Sequence, residues 1–162
     1  MPTFTIPLTP GGAIVRATIT PAHDDKSEGR ELSVRGMLDT GADLTFIDWS
    51  VVQLLDLKPI TRGRINSLTT GPKPVGANIY RINVRIAAPG ADGQGYCVPR
   101  GIIAVGGDLF RAWVDGHQAV FGRNVLEYCQ FVFNGVLRTF TLTYGGRDVQ
   151  RQAETPVGYY GA

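Results

Sequence analysis

The sequence predicts an all-β chain with one or two short helices, and three observations carry that expectation. The apolar runs are short and rich in Val, Ile, Phe and Thr, residues that suit a pleated, half-buried surface. Gly supplies 21 of 162 residues, about twice the usual share, as expected of many tight turns. The length is that of one domain, enough to bury a core without disulfide or metal staples.

Residues 13–20, AIVRATIT, alternate in period two and read as a strand. The polar PAHDDKSEGR then makes the loop of a long hairpin whose return strand is 31–38, ELSVRGML. Leu32, Val34 and Leu38 share one face of it, Ser33 and Arg35 the other, and the strand delivers the chain into Asp39. After the loop LTFI resumes an extended run. Asp48 is placed to cap a short helix through WSVVQLLDL that stops before Pro59, with Val51, Leu54 and Leu55 toward the core. A strand at 62–68, the turn-rich TTGPKPVG and an alternating strand at 78–86 describe a second hairpin, in which Tyr80, Ile82, Val84 and Ile86 share a face. AAPGADGQG is loop by composition, and CVPRGIIAV, residues 97–105, is a strand centred on Ile102, Ile103 and Val105. Residues 107–118 carry no clear pattern. AVFG leads into RNVLEY, one or two turns of helix. QFVF then joins VLRTFTLTY through Asn134-Gly135, the strongest short-range hairpin signal. Residues 1–145 are expected to form a single domain and 146–162, which lack periodicity, a flexible tail.

Composition narrows the function. A net charge of +2, made of thirteen Arg and three Lys against fourteen acidic residues, is too small to imply nucleic acid or a membrane surface as partner. Arg62, Arg64, Arg81 and Arg85 lack the aromatic interleaving of a nucleic-acid face and read as solvated strand positions. Cys97 and Cys129 are far apart and belong to no Cys/His cluster, which points to free thiols. His23, Asp24 and Asp25 are adjacent in a polar loop and cannot easily converge on one ion, so no metal and no cofactor is expected. The start MPTFTIPLTP has neither the basic region nor the apolar stretch of a signal peptide, and a cytoplasmic location is the expectation.

Chemistry concentrates in residues 36–48, GMLDTGADLTFID. Asp39-Thr40-Gly41-Ala42-Asp43 follows a strand ending in two apolar residues and precedes another strand. About eighty residues later comes Ala119-Val120-Phe121-Gly122-Arg123-Asn124-Val125-Leu126, apolar residues ending in Gly and then a short helix. In these two blocks, their order and their separation, residues 13–144 resemble the retroviral-type aspartic proteases, or retropepsins, and their cellular and bacterial relatives. The resemblance implies a closed, barrel-like β lobe and an aspartic endopeptidase.

The physics at these positions suits that implication. Hydrolysing a peptide without a metal or covalent intermediate requires a base and an acid around one water. Two carboxylates about 3 Å apart supply both, because such a pair holds a single proton; aspartic proteases are themselves the reference case for this. The chain has one Asp-Thr-Gly and the length of one lobe, so a C2 homodimer with Asp39 from each subunit is the economical arrangement. Gly41 would allow close backbone approach and unusual torsions. By resemblance, Thr40 bonds across the two-fold axis, Ala42 and Asp43 meet the substrate backbone, and Arg123 pairs with Asp43. Gly122 and Asn124 support the same site. The hairpin around 68–76 takes the place of the substrate-covering flap, with Thr70, Gly71, Val75 and Gly76 as substrate contacts, although Pro72 and Pro74 depart from a glycine-rich flap. Two departures concern the frame: extra material around 87–117, and terminal segments unlike the interleaving strands of viral subunits. Residues 131–133 or 139–144 are the candidates for the dimer sheet. The alternative to an active enzyme is a silent or latent domain of the same fold that dimerises or binds peptide.

Overall fold

The computed structural model describes residues 3–22, 29–67, 71–87, 95–97, 101–108 and 116–144. In chain order the elements are β1 (Thr3–Pro7), β2 (Ile14–Pro21), β3 (Leu32–Leu38), β4 (Thr45–Asp48), α1 (Trp49–Leu54), β5 (Thr61–Ser67) and β6 (Gly71–Ala87). They continue as β7 (Gly95–Cys97), β8 (Ile102–Gly107), β9 (Ala119–Phe121), α2 (Arg123–Leu126), β10 (Cys129–Asn134) and β11 (Thr139–Tyr144). The fold is all-β with two short helices, as the composition and turn pattern predict.

One sheet runs β2-β3-β9-β4-β8-β6-β5, with β7 added on β6. Antiparallel pairing of β2 with β6, from Ala17↔Ile86 to Pro21↔Ile82, closes it on itself. Period-two alternation drives this closure. Val15, Ala17 and Ile19 of β2, Val34 and Leu38 of β3, and Tyr80, Ile82, Val84 and Ile86 of β6 all turn into one core, while Arg16, Arg35 and Arg85 face water. β9 enters between β3 and β4, parallel to the first (Gly36↔Ala119) and antiparallel to the second (Phe46↔Val120). Its Phe121 ring lies against Gly36, where an added Cβ would come within 2.3 Å of the ring. Gly is therefore required there for packing. The second sheet, β1-β11-β10, lays Phe4, Ile6, Phe140, Leu142 and Phe131 against the same core.

Five expectations change. In α1, Asp48 caps as expected, accepting from the Ser50 amide at 2.9 Å, but Val51, Val52 and Leu55 form the buried face. Leu54 lies about 100° around the helix from the middle of that face and is 65% exposed. The stretch 97–105 is not one strand: Cys97 ends β7, Gly101 sits at φ 82, and β8 begins only at Ile102. Of the 69–76 stretch, the described residues 71–76 are strand. β5 and β6 stay paired from Thr61↔Ile79 to Ser67↔Gly71, and a bulge sets residues 72–74 opposite Asn66. Pro72 and Pro74, which have no amide to donate, are tolerated in such an irregularity. Asn134-Gly135 does not form a two-residue turn. Asn134 pairs with Thr139 across a four-residue loop, accepts from the Leu137 amide at 3.0 Å, and Arg138 takes the left-handed backbone at φ 51. Finally, residues 3–7, for which no strand was expected, pair with β11 from Thr3↔Thr143 to Pro7↔Thr139. The 23–28 loop, residues 68–70 and the tail from 145 lie outside the described residues.

Candidate active site

The Asp39 loop starts where β3 leaves its neighbour. The Leu38 amide donates to the Ala13 carbonyl at 2.9 Å, and the Asp39 amide donates to the Phe121 carbonyl at 3.0 Å. Asp39 is half-buried, and its Oδ1 accepts the Gly41 amide at 2.8 Å. The turn thus orients the carboxylate through its own backbone. Gly41 does not adopt the left-handed backbone, contrary to the torsional expectation; close approach is its role, since an added Cβ would stand 3.1 Å from Asp39 Oδ1.

The far side of the loop is held by α2. Two of its N-terminal amides, which a helix leaves without internal partners, reach back to the loop: Arg123 donates to the Ala42 carbonyl at 2.8 Å and Asn124 to the Asp43 carbonyl at 3.3 Å. Gly122 makes the approach possible, because an added Cβ would lie 2.4 Å from the Leu44 carbonyl oxygen and 2.8 Å from that of Ala42. Those atoms are backbone and cannot rotate away. The two sequence blocks therefore form one hydrogen-bonded unit. The ion pair between Arg123 and Asp43 is present through one guanidinium nitrogen, but both side chains are more than half exposed, so its energetic worth is small and its value is orientation.

Thr45 was not singled out in the sequence, yet it is the hub. It is fully buried, donates to Asn124 Oδ1 at 2.9 Å and accepts the Gly122 amide at 3.4 Å. Asn124 in turn donates to the Ile103 carbonyl at 2.7 Å, tying the loop, α2 and β8 together. The signal appears only once the strand face is known: a Thr on the same face as buried Ile47 needs a partner inside the core.

Of the remaining site residues, Thr40 is exposed and Ala42 is half-buried. Val75 and Gly76 are exposed on β6 opposite Ile65 and Arg64, Gly71 is paired with Ser67, and Thr70 lies outside the described residues. A small apolar cluster of Ile65, Ala77, Ile79 and Val105, with Leu44, Phe46 and Ile103 packed on it, anchors the β5–β6 hairpin to the strand leaving the loop. Among the described residues no group of three or more His, Cys, Asp or Glu could hold a metal, and no helix is long and apolar enough to cross a membrane. Burial pushes the Cys129 thiol from an ordinary 9.0 up to about 11.

No protein-family model and no curated protein matches the chain. Solved structures do. A retropepsin-like aspartic protease from Rickettsia conorii superposes with a TM-score of 0.51 at 17% identity, covering 88% of this chain and 91% of that one. An aspartic proteinase from Irpex lacteus superposes with a TM-score of 0.50 at 14% identity, over 92% of this chain and 49% of its own length, so this chain spans about half of it. At such identities the likeness is one of architecture. Together with the closed sheet, the β3–β9–β4 insertion and the Asp-Thr-Gly loop locked by α2, it shows that the chain has the retropepsin-like fold.

Proposed function

We propose that the chain is an aspartic endopeptidase active as a C2 homodimer, each subunit contributing one Asp39. The observation that carries this reading is the Asp39 loop itself: a half-buried carboxylate oriented by the Gly41 amide, on a loop clamped by Phe121, Arg123 and Asn124. Clamping of this kind lets two such loops face each other without rearranging when substrate arrives. One carboxylate cannot be base and acid at once, so the arrangement is complete only with a second copy.

In the dimer the two Asp39 carboxylates hold one proton and one water. The ionised partner takes a proton from the water as its oxygen attacks the scissile carbonyl carbon, while the other donates its proton to the carbonyl oxygen. Reversed transfers return a proton to the amine as the C–N bond breaks. Both apparent pKa values of this process belong to the pair. Thr40 from each subunit bonds beneath the dyad, and Ala42 and Asp43 accept from the substrate backbone. Residues 71, 75 and 76 of β6 cover an extended peptide, in the manner of an added strand. No cofactor enters this chemistry.

The test is digestion of a diverse peptide library from acidic to near-neutral pH, with and without a statine-type mimic of the tetrahedral intermediate. Cleavage blocked by the mimic, and lost in Asp39→Asn by on the order of 10³-fold or more, is expected. Cleavage that survives Asp39→Asn rejects the reading. A dimer that binds the mimic and turns over nothing would be a silent peptide-binding relative instead.

A further inference from the structure

Charge is unevenly placed along this chain. Residues 57–91, which include β5 and β6, carry six cationic side chains and no acidic one, although the whole sequence has 16 cationic residues against 14 acidic. The remainder of the chain is net negative. Solubility and the protection of an edge strand ask for charge of either sign. Neither accounts for a stretch in which only one sign occurs.

The strand register sorts these cations. Arg62 lies opposite Asn78 and Arg64 opposite Gly76, so both project from one face of the β5–β6 hairpin, whereas Ile65, Ala77 and Ile79 take the other face and pack in the small apolar cluster. Arg81 and Arg85 alternate onto that second face farther along β6, so the four arginines do not form one stripe. Arg85 meets Glu31 at 3.6 Å. Arg62, Arg64 and Lys73 are exposed, and none of the three has an ion-pair partner among the described residues. β5 is the last strand of its sheet, paired only with β6 among the described strands.

We infer that the Arg62/Arg64 face of the hairpin docks an acidic, extended segment of the protein substrate, outside the stretch held for cleavage. The inference rests on the endopeptidase reading above and adds a substrate class to it. Spacing selects the partner's form. Two residues along a strand separate Arg62 from Arg64 by about 7 Å, within the Debye length of about 8 Å at physiological salt, so the two guanidiniums repel. Carboxylates at alternate residues of an extended peptide stand at the same spacing, and each guanidinium can meet one. Nucleic acid would need aromatic side chains for its bases to stack on, and between residues 57 and 91 the single aromatic is Tyr80, which is 1% exposed. Position links the face to catalysis. A peptide covered by residues 71, 75 and 76 continues past the hairpin in both directions, which puts its flanking residues nearest to Arg62 and Arg64.

The experiment follows the fluorescence anisotropy of a labelled peptide of alternating Glu and Ser with the full chain, against its Gln counterpart and a single-stranded oligonucleotide. The Glu peptide is expected to bind, and to bind about tenfold or more weakly to Arg62→Glu/Arg64→Glu and at high salt. Arg16→Glu/Arg85→Glu changes the net charge equally on exposed residues elsewhere and is expected to bind as wild type does. Equal weakening by both double variants, equal binding of the Gln peptide, or preference for the oligonucleotide overturns the inference. If the charge reversal unfolds the chain, Arg62→Gln/Arg64→Gln and the salt dependence of wild type decide. For a peptide that the chain cleaves, a Glu-Ser-Glu extension at one end is expected to lower KM about tenfold with kcat unchanged. Cleavage indifferent to such an extension at either end overturns the docking of substrate while leaving the endopeptidase standing. Binding of the Glu peptide by a chain that cleaves nothing supports the acidic docking face and rejects the endopeptidase.

Discussion

Gly122 is the residue on which the site's geometry is most exposed to a single atom. Gly122→Ala would drive a Cβ into the Leu44 and Ala42 carbonyls, and since backbone must move, we expect a loss of about 1–3 kcal/mol in stability, read by denaturant titration, with activity lost as well. Thr45→Val keeps the shape and removes the hydroxyl. It strands the Gly122 amide and one acceptor of Asn124, at a cost of about 1–3 kcal/mol by the same measurement. Cys129 makes a pH prediction. Its folded pKa, raised to about 11, keeps the proton on the folded chain where the unfolded chain has lost it, so stability declines as pH rises from about 9 to about 11. Cys129→Ser should flatten that part of a stability-versus-pH curve. At this scale the Asp39 block and the Gly122 block were legible because both are runs of residues with special backbone demands. Thr45 was not, since a lone Thr in a strand looks ordinary until its face is known to be buried.

Elements were readable where periodicity and capping agreed. α1 began where Asp48 said it would, and Asp48→Ala should cost about 0.5–2 kcal/mol, seen as a lower melting temperature with the sheet signal intact. The paired strands β2, β3 and β6 were legible because one-sided burial fixes alternation. What failed were features set by partners distant in sequence. A strand as short as β1 is stabilised by β11, some 136 residues away at the Thr5–Thr141 bond, and nothing local announces it. The Gly101 break between β7 and β8 depends on how each lies against β6. Asn134-Gly135 misled because the Asn side chain closes the turn, where the rule assumes its backbone does.

For the whole molecule, the proposed pairing of two Asp39 carboxylates implies a dependence on company. Specific activity should fall on dilution, and replacing half of the wild type with Asp39→Asn at fixed total chain should leave about one quarter of the activity if subunits exchange at random, because only one pairing in four keeps both carboxylates. Activity that stays proportional to the wild-type share would mean that each chain works alone. The topology also bears on how the chain comes to be folded. β9 is a three-residue strand threaded between two strands made long before it, and the Asp39 loop takes its fixing bonds from residues 121–124. Contacts at such sequence separation form late and slowly. A nascent chain that has not yet emitted residue 119 holds Asp39 on a loop with no Phe121 carbonyl and no α2 to fasten it. Whatever the loop does is withheld until residues 119–124 have been synthesised.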